Sequence, residues 1–289
     1  MDKKKYLIFG INGMAGHVIG QYLKEKGHLV AGFAKQESPI CKTVIGDARN
    51  VKDIENALKT ASDSDVVVNC IGVLNRQVDK KLSDGIYLNS VLPHFLAEKL
   101  KDSTAKLIHI STDCVYEGTR GKYTEKDFPD SISYYGRTKS LGEVIDDKNL
   151  TLRTSIVGPE LKADGIGLFH WFMSQRGPVE GYRKVIWSGV TTLQLAKAIE
   201  EDRIKQQTGL YHLVNNKTIC KYDLLNLFNL YCRNMHIEII ENNTIVSDRS
   251  IMNTKNKNIF SIPGYEEMVI EMMRWIKNHP ELYQQYRGV

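Results

Sequence analysis

Through the first half of the chain, short wholly apolar runs alternate with longer stretches whose apolar residues recur at helical spacing. The runs are residues 6–9, 29–33, 66–68, 107–110 and 150–152. This is the pattern of an α/β fold in which a doubly wound parallel sheet is covered by helices on both faces. The first helical stretch, 13–26, places Val18, Ile19, Tyr22 and Leu23 on one stripe. Gly27 follows, where a helix end favours a residue free to adopt positive φ.

Beyond about residue 158 the rhythm changes, and Gly165, Gly167, Gly177, Gly181 and Gly189 break the chain into loops. Residues 209–214 read as a strand and 222–233 as a helix with Leu224, Leu227, Phe228 and Tyr231 inward. A last helix over 266–277 carries Met268, Met272 and Trp275 at helical spacing, a core stripe rather than a cofactor box. The expected division is a first domain over 1–158 and a smaller mixed α/β part over 159–289, some of whose segments return to the first. No repeat or Pro-rich linker separates them, so the two are expected to pack directly together.

Composition narrows the function classes. Hydrophobic residues at 42% and charged residues at 25% describe an ordinary core-built protein. The formal charge of +5 is dispersed, and Lys3-Lys4-Lys5 reads as a solvated end rather than a nucleic-acid arm. Five scattered cysteines without C-x-x-C spacing, and histidines without ligand spacing, indicate neither a disulfide framework nor a metal site. The N-terminal apolar run is too short for a signal peptide, and no stretch reaches the roughly 20 apolar residues of a membrane span. A cytoplasmic protein without a nucleic-acid or membrane partner is expected.

The first run feeds into Gly10-Ile11-Asn12-Gly13-Met14-Ala15-Gly16, a G-x-x-G-x-x-G loop between a strand and a helix. Glycine there allows a sharp turn and close approach to a pyrophosphate, whose charge is favoured by the free amides and dipole at the helix start. This points to a Rossmann-type dinucleotide domain, with Gly10, Asn12, Gly13, Met14, Ala15 and Gly16 as cofactor contacts. After a further short strand, 43–45, Asp47 with its neighbour Ala48 is placed to meet an adenine amino group. The second strand ends in Gly32-Phe33-Ala34-Lys35, without the acid that would hold a free ribose 2′-OH. Lys35 favours NADPH; NADH is the alternative, through Glu37.

Tyr135 and Lys139, four residues apart on a helical segment, share one face. An unperturbed phenol, with a pKa of about 10, is a poor acid-base group at neutral pH; a nearby ammonium is expected to lower it and make proton exchange feasible. Lys139 can also orient the nicotinamide ribose. Thr112 lies 23 residues before Tyr135 at a strand end, where open α/β sheets bind ligands. Its hydroxyl can share the substrate oxygen with Tyr135, with Ser111 as the neighbour able to replace it.

These motifs, with Ser111-Thr112-Asp113-Cys114-Val115-Tyr116-Glu117-Gly118 and Leu152-Arg153-Thr154-Ser155-Ile156-Val157-Gly158, together resemble extended short-chain dehydrogenases of the dTDP-4-dehydrorhamnose reductase type. Ser188-Gly189-Val190-Thr191-Thr192 and Gly209-Leu210-Tyr211-His212-Leu213 extend the similarity more faintly. The resemblance implies that Asn89 keeps the site's architecture and that Asn69, Cys70, Ile71 and Gly72 lie beside the nicotinamide. It further implies that NADPH reduces the C4 keto group of a nucleotide-linked 6-deoxy-4-keto sugar for surface polysaccharide, with Tyr135 supplying the proton. Thr112 would hold the same oxygen.

The partner is then a nucleotide-diphosphate sugar. Its candidate contacts are Ser111, Asp113 and Val115 at the strand end, and Trp171, Arg176, Arg183 and Trp187, with His170 and Tyr182, in a loop region rich in aromatic and cationic groups. A homodimer is compatible with this reading. Cys114 stands where that branch usually has an aromatic residue, and 162–187 differs from the reductase pattern, which leaves the sugar open. Thr112-Asp113-Cys114 lacks the Asp-Glu pair of sugar-nucleotide dehydratases. An epimerase of the same superfamily and a non-catalytic NADP-binding regulatory subunit, such as that of methionine adenosyltransferase, are the alternatives.

Overall fold

Phe9, Phe33, Asn69 and His109 mark one line across the sheet, because β1 (Lys5–Phe9), β2 (Leu29–Ala34), β4 (Val66–Asn69) and β5 (Lys106–Thr112) run parallel and in register there. The computed structural model describes residues 3–60, 64–255 and 261–286. Two compact units divide the chain.

The first unit comprises Met1–Glu117, Phe128–Arg153 and Ala196–Tyr211. Its seven-stranded sheet has the order β3-β2-β1-β4-β5-β6-β11, with β3 at Thr43–Ile45, β6 at Leu150–Thr154 and β11 at Gly209–His212. This is the expected doubly wound α/β sheet, and its order reverses between β1 and β4. Alternation along β1 sends Ile8 toward α1 (Met14–Glu25). Leu7 and Phe9 face the opposite side, where they pack with Ile54 and Ala57 of α2 (Val51–Thr60) and Leu92 and Leu96 of α5 (Leu92–Lys99). Burial on both faces is why the strands carry few polar residues. Between β4 and α5 lie the short helices α3 (Asn75–Lys80) and α4 (Leu82–Gly85) and a π-helical turn, Ile86–Val91. A 3₁₀ turn, Asp113–Val115, follows β5, and α6 (Tyr134–Leu141) precedes β6.

The second unit comprises Gly118–Asp127, Thr154–Leu195 and His212–Val289. Gly118–Asp127, inside the stretch expected in the first domain, belongs here: the carbonyl of Gly118 accepts from the amide of Asp248 (2.8 Å) and the amide of Lys122 donates to Ser250 Oγ (2.9 Å). Short strands β7 (Ile156–Val157), β8 (Val179–Tyr182), β9 (Val185–Trp187), β10 (Val190–Thr191), β12 (Ile219–Cys220), β13 (Ile239–Asn242) and β14 (Ser247–Asp248) pair as β10-β7, β12-β9-β14 and β13-β8. Helices α7 (Leu168–Ser174), α10 (Lys221–Arg233) and α11 (Tyr265–Asn278) complete it; α8 (Thr192–Glu200) leads back to the first unit and its α9 (Asp202–Lys205). Phe169 meets Phe228 edge-on at 5.3 Å, and Met268, Met272 and Trp275 are buried as their spacing predicts. On α10 the buried stripe includes Leu224, Leu225, Phe228 and Cys232; Leu227 and Tyr231, expected inward, are only half-buried. Among the described residues no helix is long and apolar enough to cross a membrane.

Candidate functional site

The loop after β1 is shaped by backbone that approaches backbone. Gly10 has φ +80°, and its amide donates to the carbonyl of Phe33 (2.9 Å) while its own carbonyl accepts from Gly13 (2.9 Å). A Cβ on Gly16 would stand 2.2 Å from the Gly10 oxygen, so only glycine lets α1 start this close to the strand end. Gly13, the N-cap, provides no side-chain cap, and the first amides of the twelve-residue α1 remain available to an anion. This cradle fits a dinucleotide pyrophosphate. Asn12 stiffens it by donating to the carbonyls of Gln36 and Glu37, both at 3.1 Å.

At the next strand end, Lys35 Nζ lies 3.5 Å from the Asp47 carboxylate, which Arg49 also grips through Nε (3.0 Å) and Nη2 (2.5 Å). The Arg49 hydrogen bond holds the Asp47 carboxyl well below the ordinary range. Asp47, expected to meet an adenine amino group, is therefore already engaged by Arg49, which the sequence reading passed over. Ala48, a second expected cofactor contact, packs into the core of the sheet instead.

Beyond β4, Asn69 is buried, accepting from the amide of Ile71 (3.1 Å) and meeting His109 Nδ1 (3.2 Å). Asn89, on the π-helical turn, accepts from the amide of Val73 (2.8 Å) and donates to its carbonyl (3.0 Å) and to Thr138 Oγ1 (3.1 Å). A Cβ on Gly72 would lie 3.7 Å from Asn89 Oδ1. Asn89 thus ties the loop after β4 to α6. Cys70 sits in the same corner, its thiol pushed up to about 12 by burial.

Thr112, Tyr135 and Lys139 converge here. Ser133 caps α6 by accepting from the amide of Gly136 (3.1 Å), and the i, i+4 spacing puts Tyr135 and Lys139 on one side. The Tyr135 phenol lies near the Thr112 hydroxyl, and Lys139 Nζ donates to the carbonyl of Ile110 (2.7 Å). The expected lowering of the Tyr135 pKa by Lys139 does not occur. Burial, with Cys114 and Asp113 nearby, raises it, and Thr112 only partly offsets this. Lys139 is itself lowered to about 8 by burial, against the opposing influence of Glu143 and Cys70. At neutral pH the pair is a phenol that keeps its proton beside an ammonium.

The expected substrate contacts divide sharply. Ser111 points to the face opposite Thr112, as strand alternation demands, and is buried while donating to Glu143 Oε1 (2.7 Å). It can neither replace Thr112 nor meet a ligand. Val115 is fully buried, and buried Asp113 accepts from Thr112 Oγ1 (3.2 Å). In the second unit, Arg183 pairs with Asp223 (2.8 Å) and Glu241 (2.7 Å) and stacks on Tyr222. Trp187 is buried against Tyr265, and His170 against Tyr286 (2.8 Å). Tyr182 donates to Glu180 (3.1 Å). Trp171 and Arg176 remain exposed.

Residues 4–244 match the model of a family described as the RmlD substrate binding domain. The chain belongs to that family. Among curated relatives of this RmlD-family chain is a probable low-salt glycan biosynthesis reductase, Agl14, of Haloferax volcanii, 34% identical over 160 residues that cover 52% of each chain. The chain thus spans about half the length of that relative. Methionine adenosyltransferase 2 subunit beta of Xenopus tropicalis is 25% identical over 246 residues, 76% of this chain and 70% of that one. Among solved structures, a dTDP-4-dehydrorhamnose reductase from Bacillus anthracis in complex with NADP superposes with a TM-score of 0.80 at 19% identity, covering 95% of this chain and 100% of that one. The RmlD-type resemblance and the Rossmann-like fold read from the sequence are borne out.

Proposed function

We propose that this RmlD-family chain is an NADPH-dependent reductase of a nucleotide-linked sugar in glycan precursor synthesis, acting on the C4 keto group of a 6-deoxy-4-keto sugar. The observation that carries the reading is the convergence of the Tyr135 phenol and the Thr112 hydroxyl with Lys139, which holds the Ile110 carbonyl, at the same end of the sheet as the Gly10–Gly16 cradle. The glycan reductase Agl14 and the NADP-bound structural neighbour support it.

Bound NADPH would supply the hydride; the residues of the chain do the rest. Gly10, Gly13 and the first turn of α1 would hold the pyrophosphate, and Lys35, mostly exposed, would meet the ribose 2′-phosphate, with Arg49 beside it. Lys139 would orient the nicotinamide ribose. Tyr135 donates its proton to the alkoxide that forms at the sugar carbonyl; burial keeps the phenol protonated in the ligand-free chain, and the transfer runs forward because an alkoxide is a stronger base than a phenolate. Thr112 holds the same oxygen, so developing charge meets donors fixed in advance. Of the expected contacts in the second unit, Trp171 and Arg176 are the exposed ones. The reaction belongs in the cytoplasm, where NADPH and nucleotide sugars are made.

The relation to methionine adenosyltransferase 2 subunit beta raises a regulatory reading, which the assembled Thr112, Tyr135 and Lys139 disfavour. NADPH oxidation, followed by absorbance with a panel of dTDP- and UDP-linked 4-keto-6-deoxysugars, tests the proposal. Oxidation with one sugar, lost in Tyr135→Phe, is expected. Tight NADPH binding without oxidation of any would favour the regulatory reading.

A further inference from the structure

Behind the working pair lies a buried group of charges that the proposed reaction does not itself use. Glu143 and Arg153 form an ion pair whose side chains are 4% and 2% exposed, with Arg153 Nη2 2.5 Å from Oε2 and Nε 2.8 Å from Oε1. Arg153 Nη1 continues to the Tyr116 hydroxyl (2.5 Å). Burying two opposite charges this deeply is a poor way to gain stability over apolar side chains of equal size. Its placement gives it another use.

Glu143 follows Lys139 by four residues, just past the end of α6, and accepts the Ser111 hydroxyl (2.7 Å). Ser111 stands between Ile110, whose carbonyl receives the Lys139 ammonium, and Thr112, whose hydroxyl meets Tyr135. One carboxylate therefore binds the strand end that carries both partner groups to the segment that carries both reactive side chains, and Arg153 fixes that carboxylate from β6.

We propose that Glu143 is a positioning residue that holds the end of β5 against α6 and keeps Lys139 in its cationic, correctly placed form. This rests on the reading of Tyr135 and Lys139 as the working pair. The groups facing Lys139 are Cys70 from the end of β4, His109 from β5 and Glu143 on its own segment. Burial lowers the lysine, the neutral His109 beside it adds no charge, and Glu143 is foremost among the influences that restore the cation.

The test is the titration of Lys139 in the whole ligand-free chain, followed by ¹³C NMR with ε-labelled lysine and assigned through Lys139→Met. Glu143→Gln is expected to lower the midpoint from about 8 by about one pH unit, and NADPH affinity is expected to fall off at correspondingly lower pH. Ser111→Ala, which cuts the tie but keeps the charge, should move the midpoint less and in the same direction. Should Glu143→Gln fail to fold, the neutral double variant Glu143→Gln/Arg153→Met replaces it, with a smaller shift in the same direction expected because the paired cation leaves as well. An unchanged midpoint in a folded variant overturns the proposal and leaves the brace a purely structural one, seen only as a lower Tm. Because the titration needs no ligand, a native chain that binds no NADPH would defeat the cofactor reading while the midpoint still decides the role of Glu143.

Discussion

Replacing Gly16 by alanine should damage the cofactor cradle far more than the fold. The added Cβ would stand 2.2 Å from the Gly10 oxygen, 2.9 Å from its carbonyl carbon and 3.0 Å from Ile11 Cα, all backbone atoms. An ordinary carbon–oxygen approach is about 3.3 Å or more, so loop and helix must part by about 1 Å. Gly10 cannot retreat freely, because its amide is bonded to Phe33 and its φ is +80°. Overpacking of this kind costs about 1–3 kcal/mol, and the better helix propensity of alanine returns up to about 1 kcal/mol. A net loss of about 1–2 kcal/mol lowers Tm by about 2–8 °C in a chain of this size.

The effect on binding is larger. Hydrogen bonds to a charged group contribute about 1.5–3 kcal/mol each, and losing one or two of the pyrophosphate contacts weakens NADPH by about 10- to 10⁴-fold. Gly27→Ala is the matched control: φ is +85°, yet nothing lies within 4 Å of the added Cβ. Backbone strain there costs about 1–2 kcal/mol, away from the cradle. Thermal unfolding and NADPH fluorescence titration read both quantities. Comparable Tm losses with affinity lost only in Gly16→Ala are expected; native affinity in a folded Gly16→Ala would refute the assignment of this loop to the pyrophosphate.

Tyr135→Phe should lower kcat by about 10²–10⁴-fold with NADPH affinity unchanged, measured by turnover and fluorescence. Lys139→Met should stabilise the ligand-free protein at pH 7, by at most about 3 kcal/mol for a lysine lowered from 10.5 to about 8. The sign follows because, between pH 8 and 10.5, the unfolded chain holds a proton that the folded one releases. Native stability therefore rises across that window, and the gap to the variant closes; urea titrations at pH 7 and 10 check this. Lys35→Ala should raise KM for NADPH and leave KM for NADH unchanged in steady-state assays. Arg183→Ala should leave the sugar KM unchanged, since its guanidinium is held by Asp223 and Glu241.

What the sequence made legible was governed by local rules. The Gly10–Gly16 loop, the strand runs and the Tyr135–Lys139 pair each depend on spacing within one or two elements, and spacing is visible in a sequence. Ser111 was within reach too, since period-two alternation along β5 turns it away from Thr112. Glu143 and Arg153 left only a faint signal: an arginine inside the apolar strand Leu150–Thr154 implies a buried partner, but not which one. Arg183 and Trp187 misled because a loop rich in cationic and aromatic groups looks the same whether it awaits a ligand or packs on its neighbours. Their partners, Asp223, Glu241 and Tyr265, come from strands and helices distant in the chain. The phenol's raised pKa could not be read from spacing either, because desolvation is a property of the folded surroundings.

The π-helical turn Ile86–Val91 decides where Asn89 points. A wide turn of this kind holds one residue more than an α-helical path over the same rise. Deleting a single residue from it would let the backbone relax into an unbroken helix with the flanking elements left in place, and side chains on the turn itself would be re-aimed by up to about 100°. Asn89 would then leave Val73 and Thr138, although no side chain at the reacting centre had been altered. The one extra residue of the turn is thus what joins the loop after β4 to α6 through Asn89.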